Sequence, residues 1–455
     1  MQTFPIGNGT LAPRIPKEIA ALMAALQMQG AHTDALLALE TNDWVKLLDF
    51  CDPAHLALPL AQIQRTGFPD FVIQRLDKNI ADNSQRFERV RAAYQEVAKA
   101  LTEVSVPYLV LKGFSQAPDY VRHPRFRIQS DIDIYCPAEY TQVARGALEE
   151  IGYSPMGGVD YSQADHAPTM ARLGKWVWQG NMYDPEMPVS IELHFCLWNE
   201  KTSLIEIPDI KHFWQRRINR RFDGYAYPAL NKIDQLGYFS LHILRGTLSG
   251  DWILHHVHEL ATFLHNHTDD HDLWDEWLSA HAAPLRNLEG VAFALAEAYF
   301  SCSLPEAVRR QIETMPASQK AWLERFGGSP LQIMFRRNRD GRLLHLFLAT
   351  TKESKKLVLR KALFPMKILG PGGAQVRVRN RRVKQSRPRI RILDYLLYQG
   401  NRLFVGGRAV AEFVSHGIWL WLLNHQLRGE FWLFLTTSFF LTWACLPICS
   451  CSIYF

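Results

Sequence analysis

The chain has no cysteine pair at CxxC spacing, no GxxxxGKS/T phosphate loop, no HExxH, and no nucleophile elbow followed by an ordered acid and histidine. These absences argue in turn against a zinc ribbon, a P-loop NTPase, a zinc protease and a triad hydrolase. Seven cysteines occur in 455 residues: Cys51, Cys136, Cys196 and Cys302 lie singly, and Cys445, Cys449 and Cys451 lie near the end. Scattered thiols suit a reduced compartment better than a disulfide framework. The opening MQTFPIGNGTLAPRIPKE lacks the basic start and apolar run of a secretory signal, so a cytoplasmic main body is expected.

A chain of this length can bury two or three cores, at roughly 100 to 200 residues per domain. The net charge of +6 is modest, but Lys and Arg crowd between Arg336 and Arg391. That stretch reads either as a phosphate-attracting surface or as a solvated basic linker. The expected class is α+β, a small mixed-sheet domain flanked by helical regions. Residues 1–104 read as helical, 105–230 as the sheet domain, 231–365 as helical again, 366–430 as a basic segment and 431–455 as an apolar tail. The tail FWLFLTTSFFLTWACLPICSCSIYF carries no charge and is long enough to span a bilayer, which takes about 20 residues. Pro447 and the interspersed Thr, Ser and Cys fit a buried or irregular ending as well. A membrane anchor, holding the body on the cytoplasmic side through the basic residues upstream, is one of these alternatives.

Within 105–230 three short patterns stand out. YLVLKG is an apolar run closed by glycine. SDIDIYCP alternates Ile132 and Ile134 with Asp131 and Asp133, and VSIELHF puts Glu192 and His194 on one face. Residues two apart on a strand project together, so the paired aspartates offer hard oxygen ligands, and a carboxylate from a second strand completes a clamp for Mg²⁺ or Mn²⁺. Asp131, Asp133 and Glu192 are therefore the candidate catalytic and metal-binding residues. An isolated Asp-x-Asp strand also fits the wet face of an edge strand; the neighbouring residues favour the metal. Lys112, Gly113, Ser115, Arg127 and Ser130 are the candidate nucleotide-binding residues: a tight glycine turn with N–H and hydroxyl donors, and cations for phosphate oxygens.

The ordered set YLVLKGFS, RIQSDIDIYCP and SIELHF resembles an uncharacterised bacterial nucleotidyltransferase family of the DNA polymerase beta-like superfamily, over about residues 40 to 265. The resemblance implies that Asp131, Asp133 and Glu192 bind metal and that Gly113 and Ser115 form the phosphate-binding turn. That turn departs from the usual adjacent Gly-Ser pair, because Phe114 intervenes. The implied reaction moves a nucleoside monophosphate from an NTP to a hydroxyl-bearing acceptor, whether small molecule, polysaccharide precursor, protein or RNA. A non-catalytic nucleotide-binding module that keeps the fold is the alternative.

His255, His256, His258, His265, His267 and His271 cluster near Glu259 and Asp251. Their spacing fits polar helix packing better than a second metal site. His194, beside Glu192, reads equally as an orienting residue or a structural one.

Overall fold

Apolar side chains spaced by three and four residues build the N-terminal half. Helices span Lys17–Ala25, Asp34–Leu37, Thr41–Ala54 and Ala57–Gln62, before a 34-residue helix at Asp70–Glu103. In the computed structural model, which describes residues 15–156, 165–172, 174–222, 224–251, 253–363 and 406–420, this long helix buries Val72, Leu76, Asn79, Asn83, Phe87, Val90, Tyr94, Val97 and Leu101 along one side. The sequence reading starts it near Asn79. The structure starts it at Asp70, after Pro69, because FVIQRL continues the same buried stripe.

The following segments form one seven-stranded mixed sheet. Its strands are β1 (Leu109–Val110), β2 (Asp131–Tyr135), β3 (Ser154–Pro155), β4 (Met170–Ala171), β5 (Ser190–His194), β6 (Ile218–Phe222) and β7 (Tyr225–Ala229). They lie in the order β3-β4-β5-β2-β1-β7-β6. β2 runs parallel to β5 and β1 parallel to β7, while the remaining pairs are antiparallel. The fold is thus α+β, with the mixed sheet and helical flanks expected from the sequence.

One face of the sheet carries the core. Ile132, Ile134, Ile191, Leu193 and Ala229 pack with Val90, Tyr94, Val97 and Leu101 of the long helix and with Ala144 and Leu148 of the helix Thr141–Glu150. Gly152 ends that helical segment with a φ of +88°, a left-handed turn that glycine adopts without strain.

Two units make up the chain: Met1–Thr247 with Asp251–Pro316, and Leu248–Gly250 with Ala317–Phe455. The first also contains the helices Leu254–Asn266, His271–Ala280, Ala283–Phe300 and Glu306–Thr314. The helix Lys232–Ser249 precedes them. Asp340 organises the described part of the second unit, where its backbone carbonyl accepts from Trp322 Nε1 at 2.7 Å. Its carboxylate takes Ser329 Oγ at 2.6 Å and His416 Nδ1 at 2.7 Å. The glycine-rich GPGGAQ, the arginines 377–391 and the apolar tail 431–455 lie outside the described residues. Among the described residues, no helix is long and apolar enough to cross a membrane.

Candidate active site

Parallel pairing of β2 with β5 is in register over five residues, placing Asp131 opposite Ser190, Asp133 opposite Glu192 and Tyr135 opposite His194. Since Ile132, Ile134, Ile191 and Leu193 are committed to the core, the alternate residues must face the other way. The register that buries the isoleucines thus gathers Asp131, Asp133, Glu192 and His194 on one surface.

Asp133 is the most enclosed of the three acids, at 3% exposure. Its Oδ1 lies 3.0 Å from Lys112 Nζ and 2.9 Å from His194 Nε2. Burial alone would raise its pKa, but the Lys112 charge and the His194 hydrogen bond outweigh that and hold the carboxyl well below the usual range. Burial, reinforced by the charges of Asp133 and Glu192, pushes Asp131 up to about 7, against the pull of Lys112 and Arg127. Lys112 keeps its charge despite burial because Asp133 faces it. Glu192 accepts Thr169 Oγ1 at 3.0 Å, and His166 Nε2 stands 3.8 Å from it.

Asp133, Glu192 and His194 each offer one donor atom, all within 4.8 Å of one another. Their chemistry fits a divalent cation, and the Lys112 ammonium against Asp133 already shows that the spot attracts positive charge. Asp131 lies two residues before Asp133 on the same strand face but is not part of this closest set.

The nucleotide-binding candidates divide. Lys112 joins the carboxylates directly. Gly113 has a φ of +74°, and a Cβ there would meet Gln129 Nε2 at 2.1 Å, so only glycine fits. The Gly113 N–H donates to Gln116 Oε1 at 3.3 Å and the Phe114 N–H to Gln129 Oε1 at 3.0 Å. Ser115 is buried, with its Oγ donating to the Lys112 carbonyl at 3.2 Å. Donors that the sequence offers to a phosphate are thus engaged within the protein. Arg127 Nε lies 2.9 Å from Glu259 Oε1, yet remains close enough to Asp131 to lower its pKa. Ser130 is exposed, and its carbonyl accepts from Ser190 N at 3.2 Å.

Several contributing residues carry no signal in the sequence. Asn83 Nδ2 donates to the carbonyls of Arg125 and Arg127 at 2.6 and 3.1 Å, and Arg86 Nε to that of Gln129 at 2.7 Å. Gln129 Nε2 in turn donates to the Asp131 carbonyl at 2.7 Å. The long helix therefore grips the backbone that leads into β2. Asp165, His166 and Thr169 approach from the segment before β5, where no motif marks them. Arg245 of the helix Lys232–Ser249 pairs with Asp165. It lies in LHILRG, where helical spacing gives an arginine no role.

Within the histidine cluster, His255 lies against both His256 and His55. Burial drives His55 down to about 3 and His258 to about 4, and lowers His255 and His256 as well. His55, His255 and His258 line a cavity of about 140 Å³ together with Arg127 and Glu259. Among the described residues, no second set of His, Cys, Asp or Glu brings three donor atoms as close as Asp133, Glu192 and His194 do.

A family model described as an uncharacterised nucleotidyltransferase matches residues 40–301, more than half of the chain. The chain belongs to this family. The matched span contains the whole seven-stranded sheet and every residue of the carboxylate site. Membership in this nucleotidyltransferase family supports nucleotidyl transfer as the class of activity and implies an NTP substrate. No curated protein and no solved structure matches the chain.

Proposed function

We propose that the protein is a metal-dependent nucleotidyltransferase of the DNA polymerase beta-like superfamily, moving an NMP group from an NTP to a hydroxyl-bearing acceptor at Asp131, Asp133 and Glu192. The in-register meeting of Asp133 with Glu192, on the polar face of two parallel strands, carries this reading. A divalent ion, Mg²⁺ or Mn²⁺, supplies charge neutralisation on the phosphate oxygens when bound. Asp131, Asp133 and Glu192 would hold it, and Glu192 would also help draw the proton from the acceptor hydroxyl. With a metal bound at Asp133, Lys112 would be free to turn to the triphosphate. Arg127, oriented by Glu259, has guanidinium N–H donors beyond Nε for a phosphate. Gly113, Ser115 and Ser130 are the remaining nucleotide-binding candidates, and of these Ser130 is exposed.

One observation favours the second reading, a nucleotide-binding regulatory module without turnover: the Gly113 and Phe114 amides and the Ser115 hydroxyl already have protein partners. Incubating the full chain with each of the four NTPs and Mg²⁺ or Mn²⁺, and measuring pyrophosphate release and NMP labelling, separates the two. The transferase predicts turnover that falls by about 100-fold or more in Asp131→Ala, Asp133→Ala, the scale of losing preorganised electrostatic stabilisation. NTP binding without pyrophosphate release in any combination would favour the module.

A further inference from the structure

We propose that His194 binds the metal directly through Nε2, and that the site thereby selects a first-row transition ion such as Mn²⁺ or Zn²⁺ over Mg²⁺. This rests on the transferase reading of the same site but changes its donor set, replacing an all-oxygen site with one nitrogen among carboxylates.

Three features of the geometry carry it. The Asp133 Oδ1 to His194 Nε2 separation of 2.9 Å equals that of two neighbouring ligands around an ion with bonds about 2.1 Å long. Glu192 Oε2 lies 3.9 Å from the same nitrogen, so a small side-chain movement closes the third side.

The far side of the imidazole is built as a metal ligand's would be. Histidine ligands present their second nitrogen to a carboxylate, which fixes the tautomer. His194 Nδ1 is buried without a hydrogen-bond partner, and Asp165 Oδ2 stands 3.8 Å from it. Asp165 is held in turn by its ion pair with Arg245 and by Phe195 N donating to its carbonyl at 3.1 Å. A histidine serving only to bridge Asp133 and Asp165, as His281 bridges Glu289 and Asp234, would close its second bond, whereas here Nδ1 stays 3.8 Å from the acid. A shift of about 1 Å would close the gap between Nδ1 and Asp165 to hydrogen-bond distance.

Glu192 has its own outer partner in Thr169 Oγ1. Glu192 is thus backed by Thr169, and His194 has Asp165 behind it. Imidazole favours first-row transition ions, whose affinities rise along the series from Mn²⁺ toward the later metals, whereas Mg²⁺ prefers oxygen and water.

The test is Mn²⁺ binding to the full chain, with affinity read by calorimetry and ligand type by the ¹⁴N modulation of the Mn²⁺ electron spin echo. The expected result is a ¹⁴N coupling in the unmodified protein and Mn²⁺ binding about 10-fold or more tighter than Mg²⁺. His194→Gln is expected to abolish the coupling, and Asp165→Asn to weaken Mn²⁺ binding about 10- to 100-fold while keeping it. Bound Mn²⁺ without ¹⁴N coupling, or coupling that survives in His194→Gln, overturns the proposal. The first of these needs no variant to fold. If NMP transfer proceeds with Mg²⁺ while Mn²⁺ shows no nitrogen, this inference fails and the transferase stands. Should Asp131→Ala, Asp133→Ala bind Mn²⁺ as tightly as the unmodified chain, the ion lies elsewhere and both readings fall.

Discussion

Lys112 has a carboxylate partner in the structure that its sequence position does not reveal. Its place at the end of YLVLKG assigns it to a triphosphate, but its ammonium lies 3.0 Å from Asp133 with both side chains largely buried. Breaking such a pair from one side leaves an uncompensated charge. Lys112→Met is therefore expected to lower stability by about 3 to 5 kcal/mol in urea unfolding without metal. Saturating Mn²⁺ should recover much of that loss, because a bound ion neutralises Asp133 and favours the folded form by mass action. Unchanged stability in the metal-free variant would show that the pair contributes nothing. Strand alternation puts Asp131 and Asp133 on one face, and it takes their neighbours and the family resemblance to single them out with Glu192. Asp165 and Thr169 could not be singled out in this way, since their contribution depends on a segment folding back over β5.

The long helix Asp70–Glu103 shows what hydrophobic spacing reveals about an element and what it hides. Its buried stripe is legible from Val72 to Leu101, but Asn79, Asn83 and Arg86 on that side read as solvent-facing. Asn83 and Arg86 are buried because their partners are carbonyls distant in sequence, while Asn79 meets the side chains of Asp52 and Arg75. Asn83→Ala would leave the Arg125 and Arg127 carbonyls without this donor. A stability loss of about 1 to 3 kcal/mol is expected, measurable by thermal or denaturant melting, together with weaker metal binding from a loosened start to β2. Wild-type stability in that variant would show that water replaces the amide. Strands β3 and β4 have two residues each, too short for any alternation to show. β6 is mostly exposed, so its sequence lacks the apolar face that reveals β2 and β5.

Across the larger unit, His281 ties distant segments together. It is fully buried, with Nδ1 2.8 Å from Glu289 and Nε2 3.3 Å from Asp234, so it links the helices Lys232–Ser249 and Ala283–Phe300. Burial opposes its charge, but Glu289 and Asp234 outweigh that and raise its pKa from 6.5 to about 9. A histidine whose folded pKa lies above its unfolded one stabilises fully below the unfolded value and loses that contribution as pH climbs toward the folded one. Stability should thus fall between pH 6.5 and about 9, by roughly 3 kcal/mol at most from this group. Denaturant midpoints across that range check it, and His281→Gln should flatten the slope. A slope unchanged by the substitution would assign the effect to other groups. Strand order was hidden from the sequence for a related reason: β2 meets β5 only after the intervening chain has crossed over, and no local pattern records such a pairing.

The pairing of β2 with β5 also separates inheritance of shape from inheritance of chemistry. Its alignment is fixed by Ile132, Ile134, Ile191 and Leu193, because a slip of one residue would turn these outward and bury the acids. The acids add to that alignment only through the Asp133–His194 hydrogen bond across the two strands, and their mutual repulsion opposes it. On the proposed metal reading, descendants of this chain can therefore lose Glu192 and still assemble the same sheet. Such lineages would drift between ion preferences, or fall silent as transferases, with their architecture intact.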